Sequence, residues 1–119
     1  MTDQMTNPEF AELLAQFADL LDIKGESGFR VSAYRRAADT VKRLDEPIPD
    51  LVSEGRLTDV KGMGKGIAAS LTAIAETGRF EELEELLDEI PATLLTILAI
   101  PGVGPKTVGR LYRELAITN

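Results

Sequence analysis

The chain has no cysteine, no histidine and no tryptophan among its 119 residues. Without cysteine there is neither a disulfide framework nor a thiolate metal site, and the redox compartment leaves no mark on the sequence. Without histidine, the usual zinc sites and imidazole acid–base chemistry are excluded as well. Aromatic residues are scarce, at 5%. No apolar run is long enough to span a membrane, so no membrane partner is expected. The opening MTDQMTNPEF lacks the basic and apolar regions of a secretory signal. Alternation with period two is missing too, which points to an all-α protein.

Positive charge is in deficit: 13 Lys and Arg stand against 20 Asp and Glu, for a net −7. On its face this argues against a nucleic-acid partner, whose usual footprint is a basic domain. The distribution changes that reading. Glu81, Glu82, Glu84, Glu85, Asp88 and Glu89 carry six of the seven net negative charges. The stretch from Lys24 to Arg43 holds Lys24, Arg30, Arg35, Arg36, Lys42 and Arg43 against only Glu26 and Asp39. After Pro101, Lys106, Arg110 and Arg113 oppose Glu114 alone. The chain is polarised, with one side able to face an anion opposite an acidic, solvated side.

A short pattern occurs twice. Residues 60–71 read VKGMGKGIAASL and residues 100–111 read IPGVGPKTVGRL, so Val60, Gly62, Gly64 and Leu71 overlie Ile100, Gly102, Gly104 and Leu111. Each copy runs apolar–x–Gly–apolar–Gly and leads directly into a helical pattern. Glycine tolerates positive φ, so both glycines of each pair are expected to serve a sharp turn. The helix that follows starts with unpaired N–H groups, and a tight glycine turn feeding such a start suits a phosphate. With a helix on either side, each copy reads as a helix–hairpin–helix. The helices close up through Ile67, Ala68 and Leu71 in one copy and through Val108 and Leu111 in the other. Backbone amides read no base sequence, so binding should be independent of sequence and need few cations. A mononucleotide loop is a poor alternative, because no strand precedes either turn.

The rest of the chain divides into helices. Asn7 is expected to cap the first, with Pro8 in the first turn and Phe10, Leu13, Leu14, Phe17, Leu20 and Leu21 at helical spacing up to Gly25. Ser27 caps a second helix to about Leu44, with Val31, Tyr34, Ala38 and Val41 on an apolar stripe. Arg35, Arg36, Lys42 and Arg43 share another face with Asp39. A short helix over Asp50–Glu54 ends at Gly55. Helices over about Lys65–Thr77, Phe80–Ile90, Pro91–Ala99 and Pro105–Ala116 complete the series.

The ordered set AYRRAA (Ala33 to Ala38), VKGMGKGIA, ETGRF (Glu76 to Phe80) and IPGVGPKTVGRLYREL resembles the N-terminal part of family X DNA polymerases, over nearly the whole chain. The resemblance implies a small all-α fold like the N-terminal domain of DNA polymerase beta. Residues 1–90 would form a lyase-type helical domain with the first hairpin. Residues 91–119 would form the second hairpin, opening a fingers-like subdomain packed with the first. It implies a DNA-binding module for gapped, nicked or 5′-phosphorylated DNA in repair, monomeric, cytoplasmic and nucleoid-associated. If the chain is a fragment, the remaining polymerase domains are its partners. By position, Gly62, Met63, Gly64, Lys65 and Gly66 would make the first phosphate turn, and Gly102, Val103, Gly104, Pro105 and Lys106 the second. Arg30, Tyr34 and Arg35 match residues of the family's 5′-phosphate pocket, and Arg36 adjoins them. No cofactor is required, but carbonyls around Thr58, Val60 and Met63, and around Leu98, Ile100 and Val103, match the family's Na+ or K+ sites.

Two departures bear on chemistry. The family's imine-forming lysine falls at Ser70, which has no amine, so lyase activity would need Lys61 or Lys65, and a solvated lysine is protonated and a poor nucleophile. Gly66 and Glu82 also stand where beta-type enzymes tend to carry lysines. The clustered carboxylates that nucleotidyl transfer needs do not occur before Asn119, and polymerisation is not expected of this chain by itself. Other readings are a protein-interaction module with structural hairpins and an acidic docking helix, and the compact tandem-hairpin fold of junction-binding proteins.

Overall fold

The computed structural model describes residues 5–90, 94, 96, 97 and 100–117. Among the described residues, these α-helices follow one another: α1 (Asn7–Lys24), α2 (Gly28–Arg43), α3 (Ile48–Ser53), α4 (Lys65–Thr77), α5 (Glu81–Glu89) and α6 (Pro105–Ile117), with a 3-10 turn at Leu57–Asp59. No strand occurs among the described residues. The expected helix over Pro91–Ala99 lies largely outside them, although Leu94, Thr96 and Ile97 are helical.

Helix α1 is apolar around much of its circumference because it is enclosed on several sides. Phe10, Leu14, Phe17, Ala18, Leu20, Leu21 and Ile23 are all buried, against α2, α5 and α6. A three-residue link folds α2 back along it, closing Val31, Tyr34, Ala37, Ala38 and Val41 onto the core. The rings gather at one point: Phe17 meets Tyr34 edge-on at 4.8 Å and Phe80 at 4.7 Å. Burying a ring of that size is worth about 1.5–3 kcal/mol, and this cluster ties α1, α2 and the start of α5 together.

The ends of α1 differ from the sequence reading at one point. Thr6, not Asn7, is the cap: its hydroxyl accepts from the Glu9 N–H at 3.4 Å, and Glu9 Oε1 accepts from the Thr6 N–H at 3.0 Å. The four-residue Thr-x-x-Glu spacing is a capping box, and it frees Asn7 for another task. Asn7 Nδ2 donates to the Glu46 carbonyl at 2.8 Å, and the Ile48 N–H donates to Asn7 Oδ1 at 2.9 Å. The linker through Pro47 is thereby pinned to the start of α1. That anchoring begins α3 at Ile48, two residues before the expected Asp50. At the other end Gly25 closes α1 in the left-handed conformation, φ 81°.

Helix α6 is seated on α1 through a glycine. A Cβ at Gly109 would lie 3.1 Å from Ile23 Cα and 3.3 Å from the Asp22 and Ile23 carbonyl oxygens, all backbone atoms. Val108 beside it is fully buried. Lys24 completes the seam, its ammonium 5.7 Å from the centre of the Tyr112 ring and 3.6 Å from Glu89. Partial burial pulls the Lys24 pKa down, but Tyr112 and Glu89 outweigh it and the net shift is upward.

Two outcomes are expected. Gly109→Ala raises helix propensity yet forces backbone against backbone, so it should cost about 1–3 kcal/mol in urea denaturation. It should also loosen α6 selectively in amide exchange. The Glu9 carboxyl is held below its usual range by hydrogen bonds from the Thr6 backbone and hydroxyl. A depressed pKa stabilises the fold above the ordinary carboxylate range and loses that contribution as pH falls through the folded value. Thr6→Ala should therefore lower the denaturation midpoint at pH 7 and lower it less near pH 3.

Candidate nucleic-acid interface

The repeat in sequence is a repeat in hydrogen bonding. In the first hairpin the Val60 N–H donates to Leu57 O at 3.2 Å, Met63 N–H to Val60 O at 3.0 Å, and Ala68 N–H to Gly64 O at 2.9 Å. In the second the Ile100 N–H donates to Ile97 O at 3.0 Å, Val103 N–H to Ile100 O at 3.2 Å, and Val108 N–H to Gly104 O at 3.2 Å. Gly62 has φ 86° and Gly102 φ 89°, so the first glycine of each pair is required by the turn.

The second glycine is not. Gly64 has φ −76° and ψ 162°, extended backbone open to any residue, and Gly104 is not among the positive-φ glycines. The expectation that both glycines of a pair make the turn is corrected on this point. A Cβ added at Gly64, Gly66 or Gly104 would meet nothing within 4 Å. Glycine costs conformational entropy at positions where alanine fits. Its presence leaves the backbone bare, and these residues are exposed. No side chain caps α4. The N–H groups of its first turn, at Lys65, Gly66 and Ile67, have no acceptor within the helix. In α6, Pro105 contributes no N–H and the Thr107 N–H already donates to Gly104 O at 3.1 Å. The first hairpin thus offers more backbone donors than the second.

Side chains divide into anchors and free groups. Met63 is buried to 7% exposure and Val103 is half-buried, so each pins its turn to the domain and leaves only backbone outward. Lys65 and Lys106 are exposed beside the turns. Helix α2 links the two hairpins. Thr40 Oγ1 lies 3.9 Å from where a Gly62 Cβ would be. At its other end Gly28, Val31, Ser32 and Arg35 share a groove of about 600 Å³ with Gly104, Pro105 and Lys106.

Several residues expected at the phosphate pocket are engaged within the fold. Tyr34 is 5% exposed and its ring is part of the core, so it presents no stacking or phosphate-binding face. Ser70 Oγ donates to the Gly66 carbonyl at 3.2 Å and lies 3.3 Å from the Tyr34 hydroxyl, which must then be the donor between them. Arg30 pairs with Glu26 at 3.3 Å and with Glu82 at 3.4 Å. Arg35 turns back to α1, pairing with Asp19 at 2.8 Å and Asp22 at 3.5 Å. Arg36, Lys42 and Arg43 are exposed and make no ion pair among the described residues. Phe29 escaped the sequence reading altogether. It stands 88% exposed next to Arg30. Only its position off the Val31–Tyr34–Ala38 stripe signalled that it faces solvent.

For a cation, Val60 O and Ile100 O each accept one hydrogen bond and keep a second lone pair. Thr58 is exposed; Leu98 lies outside the described residues. Neutral carbonyl oxygens fit Na+ or K+ in chemistry and do not select a transition metal. Among the described residues no group of three or more acidic side chains could hold a metal ion, and no helix is long and apolar enough to cross a membrane.

Residues 5–80 match the family model of the helix-hairpin-helix domain, and residues 54–116 match that of the SAM-like helix-hairpin-helix tandem, which takes in both turns. The chain belongs to the helix-hairpin-helix domain family. Over 113 residues, 95% of its length, it is 30% identical to the DNA polymerase/3'-5' exonuclease PolX of Bacillus subtilis (strain 168). The aligned part makes up 19% of that protein. The family X likeness drawn from AYRRAA and the two turns is thus matched by an aligned relative.

Proposed function

We propose that this chain is a sequence-independent DNA-binding module of a family X polymerase, gripping the backbone of gapped or nicked DNA through its two hairpins. The observation that carries this reading is the bare glycine backbone at Gly64, Gly66 and Gly104, which the fold does not require and a close phosphate does. The alignment with PolX supports the family, and the rest of such a polymerase would be its partner. Gap filling and repair follow from that partnership. Lys65 and Lys106 add one cation each beside the amides, and Arg36, Lys42 and Arg43 extend the positive face along α2. Na+ or K+ would sit at the carbonyls of Thr58, Val60 and Met63, and at those of Leu98, Ile100 and Val103, where it neutralises phosphate charge.

Phe29 gives the reading its gap preference. A solvated ring at the start of α2 offers a face on which an unpaired base can stack, the part Tyr34 cannot take. Imine-forming lyase chemistry has no support, because Ser70 is a satisfied hydroxyl and Lys61 and Lys65 are exposed.

Fluorescence anisotropy at low salt tests this directly, comparing gapped duplex with and without a 5′-phosphate, intact duplex and single strand. Tighter binding to the phosphorylated gap is expected, and no binding to any form would overturn the proposal. Lys65→Ala and Lys106→Ala should weaken all sequences alike and each reduce the slope of log K against log salt by about one. Phe29→Ala should cost about 1–3 kcal/mol on gapped or single-stranded DNA and little on intact duplex. Equal loss on all forms would remove the stacking role.

A further inference from the structure

Helix α5 has six carboxylates in nine residues, and three of them hold cations from outside the helix. Glu82 pairs with Arg30 at 3.4 Å, Glu89 with Lys24 at 3.6 Å, and Glu84 with Arg79 at 2.5 Å. Arg30 is held most fully. Glu26 grips it from the other side at 3.3 Å, and its guanidinium lies 5.5 Å from the centre of the Phe17 ring. Arg30, Lys24, Glu26, Glu82 and Glu89 line one groove of about 350 Å³. The arginine best placed to take a phosphate at this face already has carboxylate oxygens where phosphate oxygens would go.

We propose that α5 is a built-in competitor for the DNA backbone, with Glu82 as the residue that sets the specificity of the Arg30 site. The inference rests on the DNA-binding reading above. The Arg30 side chain is 42% exposed and that of Glu82 53%, so solvent screens the pair and it opens readily. A backbone phosphodiester carries one negative charge and must displace two carboxylates to gain Arg30. A terminal phosphate monoester carries close to two charges near neutral pH and presents a fork-compatible face to the guanidinium. Opening the pairs costs the same for either ligand, and the 5′-phosphate end, which gains more from the guanidinium, offsets that cost more fully than internal backbone does. The released Glu82 takes up a cation as the DNA phosphate loses one, which also flattens the salt dependence.

The test is a double-mutant cycle on the full chain, read by anisotropy on gapped duplex with and without a 5′-phosphate. Glu82→Gln should tighten binding to the 5′-phosphorylated gap about two- to fivefold. It should tighten the unphosphorylated gap less, so that the preference for the 5′-phosphate widens. In an Arg30→Ala background the same substitution should do nothing. Glu81→Gln, on the same turn with equal charge, controls for bulk electrostatics. An unchanged affinity in Glu82→Gln, an equal gain with Arg30 removed, or an equal gain from Glu81→Gln sinks the competitor while leaving the DNA-binding reading standing. Failure of wild type and Glu82→Gln alike to bind any DNA sinks both.

Discussion

The enclosure of α1 is the constraint on which the other elements depend. Its apolar residues cover more than one face, so it cannot be satisfied by a single neighbour, and α2, α5 and α6 each close a different side. At the crossing with α6, only the absence of a side chain at Gly109 lets that helix reach the backbone of Ile23. The second hairpin opens α6, so its position is set by that crossing. The first hairpin is held separately, by Met63 and α4 in the core and by Thr40 at the far part of α2. One helix therefore spans the distance between two turns of the same construction. From Ser32 to Thr40 that is about 12 Å at the rise of an α-helix, which is a rigid spacing and not a tether.

Charge is organised on a different principle from shape. A domain of net −7 can meet a polyanion only if its acids are kept busy or kept away, and both happen here. Arg35 is drawn back to Asp19 and Asp22 and works as a clamp between α1 and α2. Arg30 and Lys24 answer to α5. Among the described residues, the cations of α2 that make no ion pair are Arg36, Lys42 and Arg43, toward the Thr40 end where the first hairpin lies. Since surface pairs are individually weak, this partition says little about stability. It says which positive charges are open to an anion at once and which must first be released.

How much of this was legible in the sequence depends on whether the controlling interaction is local. The helix limits at Lys65, Thr77 and Gly78, the left-handed stop at Gly25 and the paired hairpins are written in nearest-neighbour chemistry: glycine at positive φ, apolar residues at helical spacing. Thr6 and Asn7 are both good caps; Glu9 three residues after Thr6 decides between them, while the part Asn7 plays is set by Glu46 and Ile48, about forty residues away. The sequence places Arg30 and Arg35 on α2 but does not give their partners. Ion pairing depends on which acids the tertiary fold brings near. Nothing in the local sequence around Gly109 explains it, and only the crossing with α1 gives it a reason.

The second glycine of each hairpin is the most telling of these cases, because there the sequence reading was right about the residue and wrong about the cause. If Gly64 and Gly104 were needed for the turn, their presence would carry no news about a ligand. The turn is already made by Gly62 and Gly102, and at Gly64 the backbone is one that alanine or serine adopts freely. Serine there would also cap the helix, worth roughly a few tenths of a kcal/mol over glycine. A chain selected for stability alone would take that gain. Keeping the N-terminus of α4 uncapped and bare offsets the loss only if something outside the chain supplies the missing acceptor, and a phosphate oxygen matches both the donors and the space.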